Sequence, residues 1–340
     1  LPNESLTAIF EHLSPHSLTR VILVSHRCRA LAERILYSSI IISETTTLTA
    51  TPSVPRRTLR VCETLSTYGH LAEIVRRFHI RWNTDAVKNP QYLLVIAQNI
   101  IKTLLPTFVH LESLELSLGL SEILPLASVA HIFPDPSTGA GLFTLPFLRH
   151  LFLSGLGAPP ISLLTNHPSL QHFRLLSYPH PLPALPSTCL SNLQSFRGHP
   201  STAASLLPGR SVEILSLVGY DVIAEDVLKA MTGGLRPVRT LDVSSVPVTP
   251  KSLVELARWF SGVRSLKVKL ALRHTLHFAL SGIRLLTALT TVLSFFPELA
   301  KLDLSPTASE ERLCRDWARV CPGLREVVFP SKNEWRLRMD

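Results

Sequence analysis

Fourteen histidines and five cysteines are the side chains of this 340-residue chain best equipped for chemistry. Histidine moves protons or holds a metal near neutral pH, and a cysteine thiolate attacks or coordinates. The spacing assembles neither chemistry. The tightest histidine pair, His274 and His277 in RHTLHF, is not followed by a carboxylate at ligand spacing. The cysteines are odd in number and form no C-x-x-C, so neither a zinc ribbon nor a disulfide framework is indicated. Cys314 and Cys321 lie seven apart on one helical face, as core residues do. No G-x-S-x-G elbow, P-loop or G-x-G-x-x-G turn occurs, and TGGLRP lacks the lysine that a phosphate cradle needs. The expectation is a chain with no catalytic set, no metal and no cofactor.

What the chain has instead is a surface made by repetition. One phrase recurs: an apolar residue, two variable ones, then apolar, variable, apolar. It reads LESLEL from Leu111, LRHLFL from Leu148, LQHFRL from Leu170, LQSFRG from Leu193, VEILSL from Val212 and VRTLDV from Val238. It continues as VRSLKV from Val263, LAKLDL from Leu299 and LREVVF from Leu324, with a degenerate VRRFHI from Val75. Copies start 19 to 37 residues apart. The last three positions alternate with a period of two, which predicts a strand with one buried face.

Proline precedes several copies (LPFLRHL, HPSLQHF, RPVRTL, FPELAKL, CPGLREV), where it ends a helix before the strand begins. Helical stretches lie between copies. TPKSLVELARWFSG offers Thr249 as N-cap with Pro250 in the first turn, and Thr307 with Glu310 makes a capping box. One strand and one helix per unit cannot bury both faces of the strand, so the units must stack as a solenoid. The phrase resembles an irregular, long-repeat leucine-rich repeat, although the usual Asn or Cys after the strand is mostly missing. The resemblance implies an α/β fold with a curved parallel sheet inside and helices outside. An ordinary α/β domain with leucine-rich strands is the alternative.

In such a stack the variable strand positions point away from the core and line up across repeats. The middle of the series brings His150, Phe152, His172, Arg174 and Arg197 into one row, basic with one aromatic. Arginine forks suit phosphate and carboxylate. This row is the candidate surface for an acidic or phosphorylated segment of a target protein; a plain solvated sheet face is the alternative. SYPHPLPALPS reads as a proline-rich ligand or as an extended connection between repeats, and HIFPDPSTGAGLFTLP as an inserted surface loop.

The opening stretch, LPNESLTAIFEHLSPHSLTRVILVSHRCRALAERIL, predicts three short helices. Leu6, Ile9, Phe10 and Leu13 fall at i, i+3, i+4, i+7. Ser14-Pro15 caps a second helix carrying Leu18, Val21, Ile22 and Val24, and a third holds Cys28, Leu31, Ala32, Ile35 and Leu36. Three helices this short cannot form a generous core alone. The stretch resembles an F-box, whose pattern is matched by Leu1, Pro2, Glu4, Leu6, Ile9, Phe10, Leu13, Leu18, Val24, Arg27, Leu31 and Ala32. It departs at Ser5, Ser25 and Cys28. The resemblance implies docking onto the Skp adaptor of a cullin-based ubiquitin ligase, with Leu1, Pro2, Leu6, Ile9, Phe10, Leu13, Leu18, Val21 and Val24 as anchors. The alternative is a hairpin that caps the solenoid, its apolar residues facing inward.

The chain therefore divides into an F-box-like helical domain at 1–42, a linker or first degenerate repeat at 43–74, and the solenoid at 75–340. Reduced thiols indicate the cytoplasm or nucleus. SGIRLLTALTTVLSFF carries Arg284 and is short for a membrane span, so a buried helix explains it better. No secretory leader is visible, and the chain lacks an initial Met, as a truncated one would. The net charge of +9 allows an acidic partner. Nucleic acid is disfavoured, because the basic residues are scattered and Asp242 and Asp303 share the predicted inner face. The reading that joins the halves is a substrate-recognition subunit: Skp-type adaptor at one end, cullin and RING subunits reached through it, and an unknown protein substrate on the solenoid. A non-degradative interaction scaffold is the alternative. The irregular repeats and many prolines resemble the large F-box sets of fungi.

Overall fold

Each described copy of the phrase becomes a strand flanked by buried anchors. In the copy from Leu111, Leu111, Leu114 and Leu116 are at most 1% exposed, and the copies from Leu148, Val212 and Val263 repeat the arrangement. Each such side chain contributes about 1.5–3 kcal/mol by leaving water. These are observations on a computed structural model that describes residues 1–45, 54–83, 90–129, 132–133, 144–186, 188–269, 290–304, 317, 319–328 and 334–336. The chain forms two compact units, Leu1–Leu170 with Thr188–Leu190, and Gln171–Ser187 with Ser191–Asp340.

The first unit opens with α1 (Asn3–Glu11), α2 (Pro15–Val21) and α3 (His26–Ser38). Strands β1 (Ser39–Thr45), β2 (Arg77–Asn83), β3 (Ser113–Ser117) and β4 (His150–Ser154) follow, all parallel. Between them run α4 (Arg56–Thr67), α5 (Gly69–Ile74), α6 (Pro90–Asn99), α7 (Leu120–Ile123) and α8 (Leu126–Val129), with α9 (Ile161–Thr165) after β4. β1 is a copy of the phrase that lacks leucine, YSSIII from Tyr37. It pairs with β2 through Ile40↔Phe78 and Ile42↔Ile80, and all four of these side chains are buried. The strand runs across residue 42 to Thr45, and α4 and α5 occupy most of 54–74.

The second unit holds β5 (His172–Leu176), β6 (Ser195–Gly198), β7 (Ile214–Val218), β8 (Thr240–Ser245), β9 (Ser265–Val268), β10 (Lys301–Leu304) and β11 (Glu326–Val328), all parallel, with β12 (Glu334–Arg336) antiparallel to β11. Helices α10 (Pro200–Leu206), α11 (Glu225–Met231) and α12 (Pro250–Trp259) connect them. Thr249 caps α12 as expected, exchanging bonds with Ser252 at 2.8 and 3.1 Å.

Despite unequal spacing the strand starts stay in register, and β7 and β8 slip only at their ends, where Val218 pairs with Ser245. In both units the carbonyl just before a strand accepts two N–H groups from the next repeat: Arg76 from Glu112 and Ser113, Gln194 from Glu213 and Ile214, Arg264 from Ala300 and Lys301. Length differences are absorbed on the connecting side. The proline-rich stretch, described over 177–186, takes the place of a helix and holds neither helix nor strand. Thr202 donates to the carbonyls of Tyr178 and His180, Ser205 accepts from Leu182 N–H at 2.8 Å, and Arg210 donates to Pro186 O. The stretch is thus engaged within its own unit.

His274, His277, Cys314, Thr307, Glu310, Arg284 and most of HIFPDPSTGAGLFTLP lie outside the described residues. Among the described residues no helix is long and apolar enough to cross a membrane.

Candidate functional site

The three opening helices share a small core of Phe10, Leu18 and Ala32, with Leu6, Leu13, Val21, Ile22, Cys28, Leu31, Ile35 and Leu36 packed against it. Serine caps set the helix starts. Ser14 Oγ accepts from Ser17 N–H and Ser25 Oγ from Cys28 N–H, each satisfying a first-turn donor that has no helical partner. Arg27 ties the start of α3 to the start of α1, donating to Asn3 Oδ1 and to Leu1 O, both at 2.7 Å. A tight turn after α2, with Val24 N–H bonded to Val21 O, pushes Leu23 and Val24 outward. Leu1, Ile9, Leu23 and Val24 are 77, 49, 84 and 72% exposed. A segment of three short helices thus leaves four large apolar side chains in water.

On the strand face of the first unit, Glu115 is the centre of charge. Its carboxylate is almost wholly buried, accepting two bonds from Arg81, one of them at 2.8 Å. His79 Nδ1 lies 3.6 Å away, and His79 Nε2 meets Ser113 Oγ at 2.9 Å. Burial lowers the His79 pKa more than Glu115 raises it, so the ring is neutral at pH 7. His150 is in register with Ser113, and Phe152 with Glu115. Phe152 of the expected row thus has the Glu115 carboxylate's residue as its register neighbour on β3.

On the strand face of the second unit, His172 is in register with Ser195, and Arg174 with Arg197. Burial, then the Arg174 charge, lowers the His172 pKa. Further along, Asp242 accepts from Ser216 at 3.3 Å and from Ser244 N–H and Oγ at 3.0 and 2.6 Å. Lys267 pairs with Asp303 at 3.4 Å and Lys301 with Glu326 at 3.0 Å. Of the five candidate substrate-binding residues, this unit brings His172, Arg174 and Arg197 together; His150 and Phe152 belong to the first unit.

Two buried thiols, Cys62 and Cys321, are poor nucleophiles. Burial pushes the Cys62 thiol up to about 11 and raises Cys321 as well. Among the described residues no three His, Cys, Asp or Glu side chains are placed to hold a metal ion. The comparison with known families then separates the opening helices from the rest of the chain. Residues 1–43 match the F-box-like family. No curated protein matches the chain. The F-box-like segment thus covers α1 to α3 and most of β1, and F-box domains typically bind Skp-type adaptors.

Of the nine expected anchors in this segment, Leu1, Pro2, Ile9 and Val24 are exposed, and Leu6, Leu13 and Val21 are half-buried. Phe10 and Leu18 are core. Leu23 is the most exposed apolar residue of the segment, yet no periodicity singled it out, because it sits in a turn. Two departures from the family pattern also find a use: Ser25 caps α3, and Cys28 packs against the small core.

Proposed function

We propose that the chain is the substrate-recognition subunit of a cullin-based SCF ubiquitin ligase. The F-box-like segment docks a Skp-type adaptor, cullin and RING subunits are reached through that adaptor, and the strand faces of an irregular, fungal-type leucine-rich-repeat solenoid hold a target protein. Ubiquitin transfer belongs to the other subunits. This chain raises the effective concentration of target beside them, in the cytoplasm, the nucleus or both.

The observation that carries the reading is the exposed set Leu1, Pro2, Ile9, Leu23 and Val24 on a segment that matches the F-box-like family. Apolar anchors at helical spacing are what a helix-in-groove interface uses, and a few buried anchors carry most of its energy. The test is the double substitution Ile9→Asp with Val24→Asp. Adaptor co-purification should fall roughly tenfold or more, with the thermal unfolding midpoint unchanged; undiminished recovery of the adaptor removes the docking model. Recovery of the adaptor without a cullin would favour a scaffold outside degradation.

A further inference from the structure

On the strand face of the first unit, side chains from two strands meet around one imidazole. His79 stands on β2, and Ser113 and Glu115 stand two residues apart on β3. His79 is in register with Glu115, and Arg77 with Ser113. The Ser113 hydroxyl lies 2.9 Å from His79 Nε2, and Glu115 Oε2 lies 3.6 Å from His79 Nδ1. A neutral ring between a carboxylate and a hydroxyl carries its proton on the carboxylate side, which leaves Nε2 to accept from Ser113. Arg81 grips both oxygens of the carboxylate and so fixes the group that orients the ring. Burial keeps the ring unprotonated at neutral pH, the state a general base needs. A hydroxyl on a base that is itself oriented by a third group is the arrangement of an activated nucleophile, and such contacts are commonly looser before substrate binds. No local motif shows it, because 34 residues separate His79 from Ser113.

We propose that Ser113, His79 and Glu115 form a hydrolytic site for carboxylic esters of apolar acids, with Ser113 as nucleophile, His79 as general base and Glu115 as the residue that positions His79. The Ser113 Oγ–H bond breaks as Oγ bonds to the acyl carbon of the ester, and the proton passes to His79 Nε2. The alcohol then leaves with that proton. Water adds to the acyl–Ser113 ester by the same steps, which releases the acid and restores the hydroxyl. Arg77, beside Ser113 in register and near enough for its charge to act on His79, supplies positive charge where the carbonyl oxygen turns negative. The neighbouring side chains select the acyl group. Phe152, half-buried on β4, is in register with Glu115, and the exposed Ile41 of β1 borders His79 on the other side. A hexanoyl chain on Ser113 reaches Phe152, about 8 Å away at the backbone, and an acetyl group does not. The site does not rest on the ligase reading.

The probe is an alkyl fluorophosphonate, which phosphonylates an activated serine with loss of fluoride. It is applied to the full chain, and the adduct is located by peptide mass spectrometry. The adduct should fall on Ser113 of the folded chain and be absent after heat unfolding. Ser113→Ala should abolish it, and Ser117→Ala, on the same face of β3, should change nothing. His79→Gln should slow labelling roughly a hundredfold. The labelling rate should rise from pH 5 to pH 7 as His79 gives up its proton. Glu115→Gln removes a charge that raises the His79 pKa, so it should move that rise to lower pH, a shift that mere loosening of the fold does not produce. In a second assay, kcat/KM for 4-nitrophenyl hexanoate should exceed that for the acetate roughly tenfold. The parent chain decides the matter even where a variant folds poorly. No adduct, an adduct on another residue, equal labelling of the unfolded chain or of His79→Gln, or equal turnover of the two esters would overturn the site.

Discussion

Ile9 and Phe10 are neighbours in sequence and opposites in environment, half in water and 7% exposed respectively. One residue turns an α-helix by about 100°, which is enough to move a side chain from the core of the opening helices to their outer face. Phe10→Ala should therefore cost about 3–5 kcal/mol of stability, whereas Ile9→Ala should stay within about 0.5 kcal/mol. Denaturant unfolding of the two variants measures the contrast, and similar losses would mean that Ile9 is core. Histidine gives a second residue-scale expectation. Burial lowers the pKa of His79, His167, His172 and His199 in the folded chain. The unfolded chain, near the ordinary value of about 6.5, then takes up protons first as pH falls. The stability these rings contribute is complete above that value and is lost below it, toward their folded pKa values. The thermal midpoint should drop from pH 7 to pH 5. His167→Asn, which keeps a donor for Leu163 O, should flatten that drop; a slope unaffected by the change would mean that His167 plays no part in it.

At the scale of elements, the strand phrase was the part of the fold most legible in sequence, because three apolar anchors at fixed offsets have one geometric solution. β1 escaped notice because Tyr37 takes the place of leucine and Ile40, Ile41 and Ile42 run together without alternation, although Ile41 is 60% exposed. α4 and α5 were obscured by the threonine and proline just before them. Gly198 breaks the phrase at its third anchor. An added Cβ there would meet the Phe196 ring at 2.6 Å and Leu175 O at 2.7 Å, because the ring fills the missing anchor's space and packs on Phe173. No single-strand pattern shows that exchange. In the candidate sites, chemistry was legible and pairing was not: the arginines of β5 and β6 could be placed on one row, but whether an acid lay beside them depended on the ladder. Turn glycines give the sharpest expectation at this scale. Gly119 and Gly155 follow β3 and β4 with φ of +62° and +67°, and a Cβ on Gly155 would lie 2.5 Å from the Gly119 backbone. Gly155→Ala should lose about 1–3 kcal/mol, from left-handed strain and backbone overlap together. An unfolding free energy equal to that of the parent chain would show that the turn yields.

For the molecule as a whole, the question is whether the F-box-like helices are a detachable module or part of the stack behind them. The first compact unit contains both the helices and β1 to β4. α3 packs on α5 and on β1, its last residue Ser38 accepts Arg76 N–H at 2.9 Å, and Ala32 is fully buried. A strand-and-helix stack whose end repeat is stripped exposes apolar faces that a terminal cap normally covers. On this argument the helices do two jobs with different sides of the same segment. Phe10, Leu18 and Ala32 close their own small core, α3 closes the end of the stack, and Ile9, Leu23 and Val24 remain outward, where the proposed docking would use them. Deleting residues 1–38 should therefore lower the thermal midpoint and strip amide-exchange protection from β1 and β2. The Ile9→Asp, Val24→Asp variant should keep both while losing the adaptor. A truncated chain whose β1 and β2 amides exchange as slowly as before would show a module merely tethered to the stack, and would leave the exposed apolar set as the sole function of the segment.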